Sequence, residues 1–180
     1  MYIWVGIDLD DELVTVKEKR LEIHRKMVFS VFDDILPQHI SLVISADIPS
    51  ERYGKTVKAL KELFEKTAPF TVELCDIEKQ NNIIWIRAME SEILARLHQE
   101  VARILKTDNG VPLHPFDLDF KYHTTLITEA DEKKLNEAYS LFLDTRYKKE
   151  VKASSFVIGT SESGKVATYR VSERFYTSQK

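Results

Sequence analysis

The 180 residues are enough for one domain or two small coupled lobes. Hydrophobic residues make up 43% and charged residues 31%, with only 5 Gly and 5 Pro, which excludes collagen-like, low-complexity and broadly disordered chains. A formal charge of -3 argues against clamping duplex nucleic acid by bulk positive charge, though it leaves room for a local basic cleft.

The short apolar run Tyr2 to Asp8, rich in Ile, Val and aromatics, predicts a strand, and Asp10-Asp11-Glu12 suits the start of a helix. Leu13, Val16, Leu21, Met27 and Val31 recur at helical spacing. After Pro37, residues 38 to 44 alternate like a strand. Tyr53, Val57, Leu60 and Phe64 mark a second helix. Phe70 to Ile77 and Ile83 to Ala88 then predict two strands joined across the polar tract of residues 78–82. Ile93, Leu97, Val101 and Ile104 define a third helix, and a Pro-containing loop leads to the strand Phe120 to Ile127. Leu135, Ala138, Tyr139 and Phe142 form the stripe of another helix, with Thr128 and Asp131 spaced like a capping box. Val151 to Gly159 and Val166 to Val171 predict the last strands, turning at Ser161-Glu162-Ser163-Gly164.

The order helix, strand, helix, strand, strand thus occurs twice. Two units are too few for a solenoid and fit a duplication into paired lobes. The expected architecture is α+β: two pseudo-symmetric lobes, residues 9–89 and 90–180 with strand 2–8 at the start, each an antiparallel sheet with flanking helices, around a central cleft.

The only cysteine, Cys75, lies in an apolar strand and reads as buried packing; one cysteine permits neither an internal disulfide nor a thiolate metal site. The longest run without Asp, Glu, Lys or Arg, residues 35–46, is short of the roughly 18 that suggest a membrane span. No secretory signal is visible at the start. These features predict a cytoplasmic protein with no membrane association and no obligate protein partner.

His39-Ile40-Ser41-Leu42 opens the middle strand of the first unit, and His123-Thr124-Thr125-Leu126 occupies the matching strand of the second. In a strand, i and i+2 share a face, so His39 goes with Ser41 and His123 with Thr125, while the intervening residues pack. If the units meet about an approximate two-fold axis, two imidazoles with one hydroxyl each flank a cleft suited to a phosphate. Breaking a bond at phosphorus needs a base on one side and an acid on the other. An imidazole of pKa about 6.5 serves as either near neutrality. The two hydroxyls can donate to non-bridging phosphate oxygens, and the scheme requires no metal or other cofactor.

On these two tetrapeptides and the duplicated element order, the chain resembles the 2H phosphoesterases, including the 2'-5' RNA ligase-like proteins and cyclic phosphodiesterases of RNA processing, whose signature is a repeated His-x-Thr/Ser-x. The resemblance spans nearly the whole chain. It implies His39 and His123 as acid and base, Ser41 and Thr125 as phosphate-binding residues, and a nucleotide or RNA-end substrate carrying a 2',3'-cyclic phosphate or a 2'-5' linkage. The first motif has Ser where Thr is commoner, and no Pro immediately precedes His123, where family members often have one.

Blander readings stand beside this one. A lone histidine on a strand is more often structural than catalytic. His24 and His98 sit in helical patterns beside charges and read as exposed, while His114, in the loop before the second motif, is a possible substrate contact. Lys121 shares the parity of His123 and either adds charge to the cleft or is solvated. Trp85, Phe116, Phe120 and Tyr122 can stack on a base, although most large aromatics are core. Asp8-Leu9-Asp10 superficially suggests a magnesium-dependent phosphatase but is more simply the opening of the first helix. The alternatives to an enzyme are a non-catalytic nucleotide- or RNA-end-binding protein with the same cleft, and a plain interaction module.

Overall fold

The computed structural model describes residues 1–29, 36–43, 45–165 and 168–177, and for Phe116 only the backbone. Strand β1 (Tyr2–Asp8) places Ile3, Val5 and Ile7, all fully buried, on the core side of its sheet. Helix α1 (Val14–Lys26) follows the acidic turn of residues 10–12, and its buried stripe is Val16, Arg20 and Ile23 rather than one running through Leu21. Val31, assigned to the same stripe by sequence, lies outside the described residues.

Strand β2 (His39–Ser41) is shorter than the alternation of residues 38–44 predicts, with Ile44 outside the described residues, and is followed by the short β3 (Ala46–Asp47). Helix α2 (Tyr53–Glu65) buries Thr56, Leu60 and Phe64. The Phe64 ring stacks on Phe156 at 4.0 Å between centroids. Strands β4 (Phe70–Gln80) and β5 (Ile83–Ala88) run almost the whole length of the polar tract, leaving only Asn81-Asn82 as the turn. Asn81 adopts φ 51°, a left-handed conformation that asparagine tolerates.

Helix α3 (Glu92–Leu105) is capped by Ser91, whose hydroxyl accepts from the Leu94 N–H at 3.3 Å. The four-residue α4 (Pro115–Leu118) precedes β6 (His123–Thr128), which starts three residues later than its sequence pattern suggests. Helix α5 (Glu132–Phe142) is capped by Asp131, which accepts from Lys133 and Lys134, so the cap is Asp131 and not Thr128. The run predicted as one strand over residues 151–159 is divided at Ser154 into β7 (Glu150–Ala153) and β8 (Ser155–Ser161), and β9 (Arg170–Tyr176) closes the chain. Val166, predicted to open that last strand, lies outside the described residues.

The strands form two antiparallel sheets, one ordered β2-β1-β8-β9 with β3 also on β1, the other β6-β5-β4-β7. The fold is α+β, with two sheets and flanking helices about a cleft. Each sheet draws strands from both sequence halves: the β4–β5 hairpin pairs through β5 with the second histidine strand, and β8–β9 pairs through β8 with β1, which carries the first on its other edge. The break at Ser154 is where the chain crosses between sheets, because β7 pairs with β4 and β8 with β1. Strands β2 and β6 are therefore the edges of their sheets, and these two edges lie beside each other. Among the described residues no helix is long and apolar enough to cross a membrane.

Candidate active site

On β2, His39 and Ser41 are half-buried while Ile40 and the following Leu42 are fully buried. Pairing with β1 sets Asp8 opposite His39 and Gly6 opposite Ser41, and directly opposed residues share a face. The Trp4 ring lies across that face. It meets the His39 imidazole edge-on, with 4.3 Å between centroids, and its Nε1 donates to Ser41 Oγ at 2.8 Å. Because the indole nitrogen only donates, Ser41 accepts there and keeps its own proton to offer.

Two glycines make this placement of Trp4 possible. A Cβ on Gly6 would sit 2.5 Å from Trp4 Cζ2, and one on Gly159 2.9 Å from Trp4 Cε3. Gly6→Ala is accordingly expected to cost about 1–3 kcal/mol of stability by overpacking. It should also displace the indole from His39 and Ser41. Urea unfolding and the tryptophan near-UV CD signal check both effects.

Strand β6 repeats the arrangement with different parts. His123 and Thr125 are half-buried and Thr124 and Leu126 buried; β5 sets Arg87 opposite His123 and Trp85 opposite Thr125. The Trp85 ring lies 4.5 Å from the His123 ring, tilted by 44°. The Trp85 indole nitrogen, unlike that of Trp4, is buried without a hydrogen-bond partner among the described residues.

Both imidazoles are oriented in the same way. His39 Nδ1 bonds the Pro37 carbonyl at 2.7 Å, and His123 Nδ1 bonds the Lys121 carbonyl at 2.6 Å, each two residues upstream. A carbonyl only accepts, so Nδ1 carries the proton and Nε2 is left as the nitrogen for proton transfer. Burial pushes the His39 pKa down to about 4, against the opposing pull of the Pro37 carbonyl, with Arg20 and His123 adding charge repulsion. Burial also lowers the pKa of His123.

These shifts have a consequence for folding. Between about pH 4 and 6.5, His39 is protonated in the unfolded chain and neutral in the folded one, so it favours unfolding increasingly as pH falls. Stability should decline through that window, and His39→Gln should flatten the decline in a series of melting temperatures.

Two buried polar side chains bridge the chain near the histidine strands: Gln38 joins the start of β2 to β6, and His98 joins Leu42, just after β2, to α4. Gln38, 2% exposed, donates through Nε2 to the Thr124 hydroxyl and, at 3.0 Å, to the Thr125 carbonyl, while its Oε1 accepts from Arg20 at 3.3 Å. His98, expected on the surface, is 7% exposed on α3: its Nδ1 bonds the Leu42 carbonyl and its Nε2 the Asp117 carbonyl at 2.7 Å. Gln38→Ala is expected to cost about 1–3 kcal/mol of stability by stranding its partners. It should also lower kcat more than it raises KM, because it sets the spacing of the reacting groups; steady-state kinetics and denaturant titration separate the two effects.

His39 and Thr125, from opposite edges, line one cavity of about 260 Å³ together with Trp4, Arg20, Leu36 and Tyr169. Four contributors here escape sequence reasoning: Trp4, Arg20, Gln38 and Tyr169. Two signals were present. Gly6 interrupts a strand of bulky residues, which marks a close approach, and Arg20 is a charge on the Val16–Ile23 stripe. His24 is half-buried and lines the same cavity instead of being exposed.

His114 is exposed, and its backbone N–H donates to Asp117 Oδ2 at 2.6 Å. Lys121 is exposed. The two early aspartates are held as structural acids, Asp8 by Arg174 at 2.8 Å and Asp10 by Lys17 and the Gln38 N–H. Cys75 is half-buried rather than packed away, with Sγ 3.4 Å from Met89 Sδ.

Neither a family model nor a curated protein matches the sequence. Solved structures do match. Escherichia coli LigT complexed with 3'-AMP aligns over 98% of both chains with a TM-score of 0.67 and 16% identity. A structure described as a phosphoesterase aligns over 98% of both at 0.64 and 16%. TT0787 of Thermus thermophilus aligns over 98% of this chain and 97% of its own at 0.62 and 21%. From end to end, the chain has the fold that these three structures share.

Proposed function

We propose that the protein is a phosphoesterase of 2H type that cleaves RNA-derived 2',3'-cyclic phosphates or 2'-5' phosphodiester linkages without a metal, with His39 as general base and His123 as general acid. The observation that carries this reading is the matched pair of half-buried imidazoles, each fixed through Nδ1 by a carbonyl two residues upstream, on adjoining sheet edges. Ser41 and Thr125 bind the non-bridging oxygens, and Ser41 is prepared for this by accepting from Trp4. Arg20, lining the cavity with His39, adds the positive charge that a dianionic transition state calls for. E. coli LigT, of the same fold, takes 3'-AMP, a ligand of the proposed class.

The acid and base roles follow from the environments. Where the pair carries one proton, it resides on the imidazole less disfavoured as a cation. His39 is held down to about 4 by burial and Arg20, whereas burial alone lowers His123, so His123 is that residue. In a 2'-5' linkage, His39 takes the proton of the 3'-hydroxyl as it attacks phosphorus, and His123 protonates the departing 5'-oxygen. Ligation is the same path reversed.

Assay of the protein in EDTA with nucleoside 2',3'-cyclic phosphates and 2'-5'-linked oligonucleotides tests this. Turnover by the wild type that is lost in both histidine variants is expected. Binding without turnover would favour the non-catalytic alternative, and a requirement for magnesium would overturn the two-histidine scheme.

A further inference from the structure

The Pro37 carbonyl that holds His39 Nδ1 at 2.7 Å belongs to the same peptide group as the Gln38 N–H, and that N–H donates to Asp10 Oδ1 at 2.8 Å. The peptide is trans, so its N–H and C=O point in opposite directions and it spans the two side chains. A carboxylate, a peptide between two buried residues and an imidazole thus form one hydrogen-bonded chain. Bonds in such a chain polarise one another, and negative charge on the N–H side makes the carbonyl oxygen a stronger acceptor. Asp10 is suited to supply that charge. Burial opposes its ionisation, but Lys17, the Gln38 N–H and Arg20 outweigh burial and hold its pKa below the ordinary carboxylate value. His123 has no such arrangement. Among the described residues no carboxylate accepts from the Tyr122 N–H of the peptide that holds its Nδ1, and burial and the Lys121 carbonyl are what act on it.

We infer that Asp10 is a positioning residue for the base: through the Pro37–Gln38 peptide it strengthens the acceptor of the His39 Nδ1–H, which fixes the tautomer and makes Nε2 the better proton acceptor. The inference rests on the two-histidine reading above and adds to it a residue that neither motif contains. Asp10 does not line the cavity, and no proton is transferred to it. The other charged and titratable groups around His39 are Arg20 and His24 from α1, His123 from β6, Tyr169 across the cavity, and Asp8, opposite in the register and paired with Arg174. Burial lowers the His39 pKa most, the Pro37 carbonyl raises it, Arg20 and His123 lower it further, and Asp10, behind that carbonyl, raises it. Lys17, ion-paired with Asp10, tempers the effect.

Two substitutions of opposite sign test this. Asp10→Asn keeps an oxygen for the Gln38 N–H and removes the charge, whereas Lys17→Met removes the countercharge and leaves the Asp10 carboxylate unbalanced. In proton NMR at neutral pH, the His39 Nδ1–H resonance should move upfield in Asp10→Asn and downfield in Lys17→Met, as its hydrogen bond weakens or strengthens, with the His123 resonance unmoved. In the turnover assay, the acid limb of kcat/KM should move to lower pH in Asp10→Asn and to higher pH in Lys17→Met. Asp10→Asn should also lower kcat several-fold with little change in KM. A general structural defect would move both variants the same way. An unmoved Nδ1–H in Asp10→Asn, shifts of one sign in both variants, equal shifts at His123, or an acid limb that stays in place in both overturns the inference. The phosphoesterase reading fails separately, if the NMR shifts appear and the wild type turns over neither cyclic nor 2'-5'-linked substrates.

Discussion

Replacing His39 or His123 with alanine is expected to lower the rate about 10²- to 10⁴-fold each, the range of one positioned acid or base. At about 1.4 kcal/mol per tenfold this is roughly 3–5 kcal/mol of transition-state stabilisation per imidazole. The double variant should lose little more than the worse single one, because an acid without its base does not complete the displacement. The pH profile carries the same information. With the proposed roles, turnover needs His39 neutral and His123 protonated, and both pKa values lie below the ordinary histidine value. The bell in kcat/KM should therefore have its acid limb near pH 4 and its maximum below 6.5. A bound phosphate anion favours the imidazolium, so the basic limb of kcat should lie at higher pH than that of kcat/KM. A flat profile between about pH 5 and 8 in both parameters would contradict the paired imidazoles.

The largest effect on folding is expected at Lys106. Its Nζ meets Asp117 Oδ2 at 2.6 Å, with the two side chains 3% and 0% exposed. Removing one partner of a buried pair strands the other charge, so Lys106→Met should cost about 3–5 kcal/mol, against about 5–15 for a whole domain. The site should feel this loss, because the Asp117 carboxylate also takes the His114 N–H and the Asp117 carbonyl takes His98 Nε2, anchoring the segment that leads to His123. Lys106→Met combined with Asp117→Leu should be less damaging than the sum of the single changes, as replacement of both charges removes the penalty. Urea unfolding of the three variants measures this, and strict additivity would show that the pair does not act as a unit.

The parity of the two motifs was legible because alternation is a local property. His39 and Ser41, or His123 and Thr125, share a face whatever the strand pairs with, and the half-buried, buried alternation follows it. Helices α2, α3 and α5 were legible for the same reason, each carrying a stripe at its own period. Long-range pairing was not. Nothing local distinguishes a β4–β5 hairpin that joins the nearer histidine strand from one that joins the farther, and the crossover at Ser154 sits inside a segment, Val151 to Gly159, that reads as a single strand. His98 looked exposed because its acceptors, the Leu42 and Asp117 carbonyls, lie 56 and 19 residues away. Trp4 is one more apolar residue of the strand Tyr2 to Asp8 until the registers of β1 with β2 and β8 bring Gly6 and Gly159 under its ring.

The central claim is that two imidazoles from adjoining sheet edges act on a single phosphorus. Its most direct test is a crystal structure with a nucleoside vanadate, which takes the five-coordinate geometry of the displacement. The account predicts His39 Nε2 and His123 Nε2 each within about 3 Å of opposite apical oxygens, with the Ser41 and Thr125 hydroxyls on equatorial ones. Vanadium held by one imidazole alone, with the other ring turned to a separate pocket, would contradict it.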